Sequence, residues 1–343
     1  MRLRLWGATV VLLCAVGLLG QSVRAEAAPA APRGAGIATY YLNSIDVPAV
    51  TPAPFRFGGF TGLDAIGGGR YVAISGDLGL AGPGRFFTAS IPFAQSLLNG
   101  LPKLVGANPI LGPGFMMTPP GSARFEGIRK TSRGYVVVSG GDRPFVREIS
   151  GAGAMIGERP LPRAYLPGRN SGLDPQRSLA GVAVGPTGRI SVLTAGGLRQ
   201  DPRTSARLLS FGPRGTSEFV YRTDGDKRAA DVLAINTTDF LVLERGAGRI
   251  TRIYWTTTRG AQQISGKQRV EKDVRAMPKR QIFSTAPIPR LAAGDISGLA
   301  WGPWAPSNPF EAYRARTLVM ITDNSHGGPT KLHALEIRFP RQR

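Results

Sequence analysis

Thiols and imidazoles are almost missing from this sequence. Its one cysteine is Cys14, and its only histidines are His326 and His333. With no second cysteine there is no internal disulfide and no cysteine metal site, and no His/His/carboxylate spacing exists for a zinc centre. The stretch Gly294–Gly298 (GDISG) lacks the Gly-x-Ser-x-Gly order of a nucleophile elbow, which leaves Ser297 and Ser325 as weak nucleophile candidates. No Gly-Lys-Ser/Thr phosphate loop occurs. Helical periodicity is also scarce, the one tempting stretch being PFAQSLLNGL at 92–101. Acid is in short supply as well: 22 Asp and Glu face 43 Lys and Arg, a formal charge of +21. That balance favours acidic partners such as nucleic acid, anionic lipid, cell-wall polymers or phosphorylated small molecules, although arginine codons are GC-rich and genome bias can supply part of it.

What is present begins with a targeting pattern. Arg2 and Arg4, an apolar run from Leu5 to Leu19, and small residues at Val23 and Ala25 read as a secretory signal cleaved after Ala25 or Ala27. The run of about 15 residues is short for a membrane anchor, which needs ~20. Leu13 precedes Cys14 where a lipoprotein signal wants a small residue. Residues 1–25 are therefore expected to be a signal peptide and 26–36 a flexible leader. The expected compartment is a bacterial periplasm or the medium, and nucleic acid drops from the list of partners. No stable span is expected after cleavage.

From residue 37 the grammar is that of strands and turns. Apolar runs of four to six residues recur between Gly, Pro, Asp and Asn: YVAIS (71–75), YVVVS (135–139), ISVLT (190–194), FLVLE (240–244) and TLVMIT (317–322). Each follows an entry motif, with Gly62, Gly127, Gly181 and Gly298 at matching places and Asp231 standing where the fourth unit should have its glycine. Each run is followed by a further strand, such as RPFVREI or GRITRIYW. A recurring antiparallel unit some 50–65 residues long predicts the blades of an all-β propeller over 37–343. Five units are readable. The length favours six blades, within a range of five to seven, and the early strand at 37–45 is placed to complete the last blade. A pair of β-sandwiches or an irregular barrel is the alternative. Two stretches break the rhythm: a proline-rich loop at 97–123, and 256–289 with its basic segment GKQRVEKDVRAMPKRQ, which reads as a solvated excursion or an arm for an anionic ligand.

The segments GGFTGLDA, FEGIRK, GYVVVSGG, LAGVAVGPTG, FLVLERG, RITRIYW and ISGLAWGP…LVMITDN, in this order from about Gly58 to Phe339, resemble the phytase-like family, also described as the esterase-like activity of phytase family. The resemblance implies a propeller and a calcium-linked ester hydrolase. The family pattern repeats Glu-Gly at three blade entries. Here it survives only at Glu126-Gly127, with Ala180 and Ser297 in the other two places. Its Ser-Asp-Asp becomes Ser75-Gly76-Asp77, and its final Ser-Asp-Asp-Asn becomes Thr322-Asp323-Asn324.

Calcium takes six to eight oxygens, with carboxylates supplying the charge, so these exchanges thin the expected site. The expected metal set is Asp64, Asp77, Glu126, Glu244, Asp295 and Asp323, with Asp64 and Asp295 placed to compensate for the lost acids. Glu126, Glu244, Arg245 and His326 are the catalytic candidates. Aspartates at strand ends also suit turn capping, and Glu244 and Arg245 suit ion pairs between blades. His333, in an alternating strand, reads as a packed or surface residue. The expected function is hydrolysis of phosphate or carboxylate esters, and the alternative is a non-catalytic propeller that binds an anionic ligand, envelope polymer or protein.

Overall fold

The computed structural model describes residues 36–48, 55, 57–76, 82–246, 250–288, 291, 295–323 and 329–341. The expected signal peptide and most of the leader lie outside them. The described residues form an all-β propeller of five four-stranded antiparallel sheets, not a closed barrel. A first strand, β1 (Ala38–Val47), precedes the blades. Blade one contains β2 (Phe60–Gly67), β3 (Arg70–Ser75), β4 (Arg85–Ser90) and β7 (Lys103–Pro109), with a small hairpin of β5 (Phe93–Ala94) and β6 (Leu97–Leu98) between the last two. Blade two contains β8 (Arg124–Lys130), β9 (Tyr135–Gly140), β10 (Phe145–Ile149) and β11 (Met155–Arg159). Blade three is β12 (Leu179–Val184), β13 (Ile190–Thr194), β14 (Ser205–Gly212) and β15 (Gly215–Arg222). Blade four is β16 (Arg228–Ala234), β17 (Asp239–Arg245), β18 (Thr251–Thr257) and β19 (Lys279–Ser284). Blade five joins β20 (Asp295–Trp304), β21 (Tyr313–Asp323) and β22 (Thr330–Pro340) to β1, so the ring closes on the early strand as expected.

The count of five corrects the expectation of six. The length that suggested a sixth blade is spent on connections. The segment 258–278, part of the 256–289 stretch read as a solvated excursion or an anionic-ligand arm, keeps its charged side chains in water but pins its backbone to blade three. Ile264 N–H donates to Glu218 O (2.8 Å), Met277 N–H donates to Val220 O (2.7 Å), and Ile264, Val270 and Val274 pack on Val220. The buried Arg207 holds the same segment through Lys267 O (2.9 Å), and it pairs with Asp201 (2.7 Å) and Glu218 (3.1 Å). The segment thus covers the outer edge of blade three, an edge otherwise open to unwanted pairing. The tempting helix at 92–101 is the β5–β6 hairpin, turned at Gln95 with a positive φ of 55°.

Strand alternation builds the core. On β3, Tyr71 and Ala73 face blade five while Val72 and Ile74 face blade two. Strands buried on both faces in this way explain why YVAIS and YVVVS read as unbroken apolar runs. Five of the apolar clusters lie one between each pair of successive blades. His333 is packed, 3% exposed beside Tyr41, and burial pushes its imidazole down to about 4.

The inner strands β2, β8, β12, β16 and β20 surround the axis. Every one carries a β-bulge one residue before its axial position, at Thr61, Glu126, Ala180, Ala230 and Ser297. The axial residues themselves are Gly62, Gly127, Gly181, Asp231 and Gly298. A Cβ at Gly62 would lie 2.9 Å from the Cα of Gly127, so the inner strands approach too closely for a side chain. At Gly181 a Cβ would lie 2.7 Å from Asp231 Oδ1: that glycine makes room for the one axial carboxylate.

Asp231 closes the axis with Arg129, both nearly inaccessible to solvent. Arg129 Nη2 donates to Asp231 Oδ1 (3.0 Å) and Oδ2 (2.9 Å) and to Val232 O (2.9 Å), and Nη1 donates to Leu63 O (2.5 Å). Asp231 also accepts from the amides of Leu299 (2.8 Å) and Val232 (2.8 Å). One ion pair therefore ties blades one, two, four and five together. Burial pushes the Asp231 carboxyl up to about 6, against the pull of Arg129 and the amides.

Removing one member of a buried pair leaves an uncompensated charge. Asp231→Ala is expected to lower stability by about 3–5 kcal/mol, and Arg129→Met in addition to restore part of that loss. Denaturant unfolding of the three proteins checks this; a loss under about 1 kcal/mol for Asp231→Ala would show that the axis does not depend on the pair.

Candidate functional site on the entry face

The five inner strands begin on one face of the ring, termed the entry face. Bulges re-aim side chains, and here the bulged residues ring the mouth of the axis. Four of the five carry no acid. Thr61 Oγ1 donates to Phe125 O (2.8 Å), and Ser297 Oγ donates to Phe60 O (2.6 Å), so both hydroxyls serve as clasps between blades. Ala180 packs in the apolar cluster between blades three and four, and Ala230 stands at the fourth place. Glu126 is the single carboxylate of the ring.

Around Glu126 lies a cavity of about 330 Å³ lined by Arg124, Arg228 and Arg245, with a floor of alanines from blades three and four. Arg124 Nε donates to Glu126 Oε1 (2.5 Å) and its Nη2 donates to Pro175 O (2.8 Å). Among the described residues no hydrogen bond engages Glu126 Oε2. Its side chain is 18% exposed, and burial pushes the carboxyl up while Arg124, Arg245 and Arg228 pull it down. Arg228 is held only lightly, Nη1 to Gln176 O at 3.4 Å. Burial and the charge of Arg245 lower its own pKa, which Glu126 opposes. A second cavity of about 460 Å³ shares Arg228 and Arg245 with the first and adds Arg177, Arg203 and Lys227 together with Asp226 and Asp295. The two form a basic trough over blades two, three and four.

Among the expected site residues, the structure brings Glu126, Arg245 and Asp295 to this trough. It does not bring Glu244. Strand alternation turns that side chain between blades three and four, fully buried, where it accepts from Tyr221 Oη (2.6 Å), Lys279 Nζ (2.8 Å) and the Asp224 amide (3.0 Å). Its acceptors are spent on structure, as an inter-blade role predicts. Asp64 lies three residues past Thr61, roughly 10 Å along an extended strand, and accepts from the Lys130 amide (2.8 Å) on the far side of the axial ring. It does not replace the lost acids. Asp77, Ser325 and His326 lie outside the described residues. The backbone of Asp323 pairs with Asp295, and its side chain also lies outside them.

Sequence reasoning missed Arg124, Arg228 and the Arg129–Asp231 pair. A signal existed for the first two: each stands two residues before the bulge of its inner strand, so the repeat itself aligns them. Gly76, where the resembled pattern has an acid, has no room for a side chain, because a Cβ there would strike Phe125 O and the Thr61 side chain. The described donors do not fit calcium. In the bulge ring one carboxylate faces three guanidinium groups, the alanine side chains offer no oxygen, and the two hydroxyls are already engaged; among the described residues no cluster of three His, Cys, Asp or Glu could hold a metal.

Calcium is therefore expected to leave the melting temperature unchanged. Thermal melts with millimolar calcium and with chelator check it; a rise of several degrees that Glu126→Gln abolishes would mean that residues outside this set complete a site.

A family model described as phytase-like, esterase-like activity of phytase, matches residues 55–326. No curated protein matches the chain. Among solved structures, the crystal structure of human WBSCR16 is aligned over 90% of this chain and 100% of its own at 10% identity, with a TM-score of 0.23, too low to bear on the fold.

Proposed function

The chain belongs to the phytase-like, esterase-like family, and from that premise we propose that it hydrolyses phosphate or carboxylate esters in the entry-face trough. The observation that carries this reading is the lone carboxylate, Glu126, set among Arg124, Arg228 and Arg245 in one cavity. Guanidinium groups bind phosphate and carboxylate through paired N–H donors. Placed around the reacting acyl or phosphoryl group, they stabilise the negative charge that grows on its oxygens as water adds. Arg124 fixes Glu126 through Oε1, and Oε2 takes the proton of the attacking water. Burial raises the affinity of this carboxylate for that proton, which suits a general base. The leaving alkoxide takes a proton from solvent. Calcium enters no step.

A second reading, an anion-binding propeller without catalysis, is favoured by the neutral character of the other four bulge positions. Turnover of p-nitrophenyl phosphate and p-nitrophenyl acetate separates the two. Glu126→Gln is expected to lower kcat by about 10²-fold or more, and Arg228→Ala to raise KM by about tenfold. Because the base acts ionised, kcat/KM of the wild type should climb with pH above the ordinary glutamate value of 4.5, and Glu126→Gln should lack that limb. Wild-type turnover no greater than that of Glu126→Gln on either ester would sink the hydrolase reading and leave the binding one.

The first 25 residues support export to the periplasm or medium. Mass spectrometry of periplasmic protein should find a chain starting at Glu26 or Ala28; a chain that keeps Met1 there would contradict export by cleavage. No helix among the described residues is long and apolar enough to cross a membrane.

A further inference from the structure

The opposite face, where the inner strands end, carries a cleft of about 680 Å³ at the seam between blades one and five. Such a volume suits a small organic ligand. Its walls are aromatic: Tyr71 and Phe93 lie with ring centroids 6.2 Å apart and planes at 39°, and Trp301 faces them from blade five. The β2–β3 turn at its mouth runs through Gly67, Gly68 and Gly69, all with positive φ (95°, 61° and 71°). Only glycine takes this path readily, so these three turn residues put no side chain into the mouth.

Among the described residues the charged ones of the lining are Arg70, Lys103 and Arg316, and no acid is found with them. Arg70 and Lys103 are exposed, whereas Arg316 is half-buried and fixed. Its guanidinium lies 4.7 Å from the Trp301 ring centroid and 5.0 Å from that of Trp304, and Nε donates to Gly302 O (3.2 Å). Among the described residues its terminal nitrogens donate no hydrogen bond. Burial lowers its pKa, and Tyr71 and then Asp64 oppose this through charge alone, Asp64 without forming an ion pair. Held by two indoles and one carbonyl, with two donor ends unspent beside an aromatic wall, this cation has no ion-pair partner among the described residues.

We propose that this cleft binds a small aromatic monoanion, its ring against Tyr71, Phe93 and Trp301 and its charge on Arg316. The site is separate from the entry-face trough and independent of the hydrolase reading. A ligand there touches both the first and the last blade, so it bridges the seam at which the ring closes.

The test uses naphthalene-2-sulfonate, its uncharged counterpart naphthalene-2-sulfonamide, and dodecanoate, titrated into the whole protein by calorimetry with tryptophan fluorescence as a second signal. The sulfonate should bind one to one, about tenfold more tightly than the sulfonamide, and Arg316→Gln should erase that difference. Leu101→Asp, at an exposed rim position, should weaken the sulfonate without touching the core, and it serves if Arg316→Gln folds poorly. Arg245→Gln, on the other face, should leave this binding unchanged. Equal affinity for sulfonate and sulfonamide, tighter binding of dodecanoate than of the sulfonate, no binding at millimolar ligand, or loss of binding in Arg245→Gln alone would each overturn the proposal.

Discussion

The buried pair of Arg129 and Asp231 is the constraint on which the rest of the structure depends. Five inner strands meet around an axis too narrow for side chains, and glycine satisfies that at four of them. At the fifth, Asp231 puts a carboxylate into the axis, which is tolerable only because Arg129 and two backbone amides neutralise it there. The guanidinium in turn uses carbonyls from blades one and four. A charge buried without those partners would be costly; buried with them, it registers four blades against one another. Blade three contributes by staying out of the way, through Gly181.

Closing the axis in this way decides what the entry face can present. Each bulge carries its side chain to the mouth of the axis, so the five bulged residues form a natural ring of ligands. In this chain two have become hydroxyl clasps, two are alanines, and only Glu126 keeps a charge. The surrounding arginines then dominate, and the face presents an electropositive trough with Glu126 embedded among them and Asp226 and Asp295 farther along its lining. That arrangement favours an anionic substrate bound by guanidinium groups over a metal held by carboxylates. Arg124, Arg177, Arg203, Lys227, Arg228 and Arg245 supply the positive charge of the trough.

Much of the fold was legible. The blade grammar, the closing role of the early strand, and the odd aspartate at position 231 all follow from strand periodicity and repeat spacing, and residue 231 was visible as the break in a glycine series. The blade number was not legible, because length does not distinguish a sixth blade from a long connection; the segment 258–278 has the charge of a solvated loop but hides Ile264, Val270 and Val274 against blade three. The site was legible only in part. Glu126 and Arg245 could be named from the resembled motif. Glu244 misled, since adjacent residues on a strand point to opposite sides and the motif does not say which of the pair faces the opening. Asp64 misled for a related reason: nearness in sequence to a bulge does not place a side chain on the same side of the axial ring. Arg228 was hidden among many arginines, and only alignment to the bulge positions singles it out.

The most direct test of the account is a crystal structure grown with orthovanadate or inorganic phosphate. The account predicts the anion between Arg124, Arg228 and Arg245, within hydrogen-bond reach of their guanidinium groups and beside Glu126. A trough left empty at saturating anion, or an anion bound only elsewhere on the molecule, would contradict it.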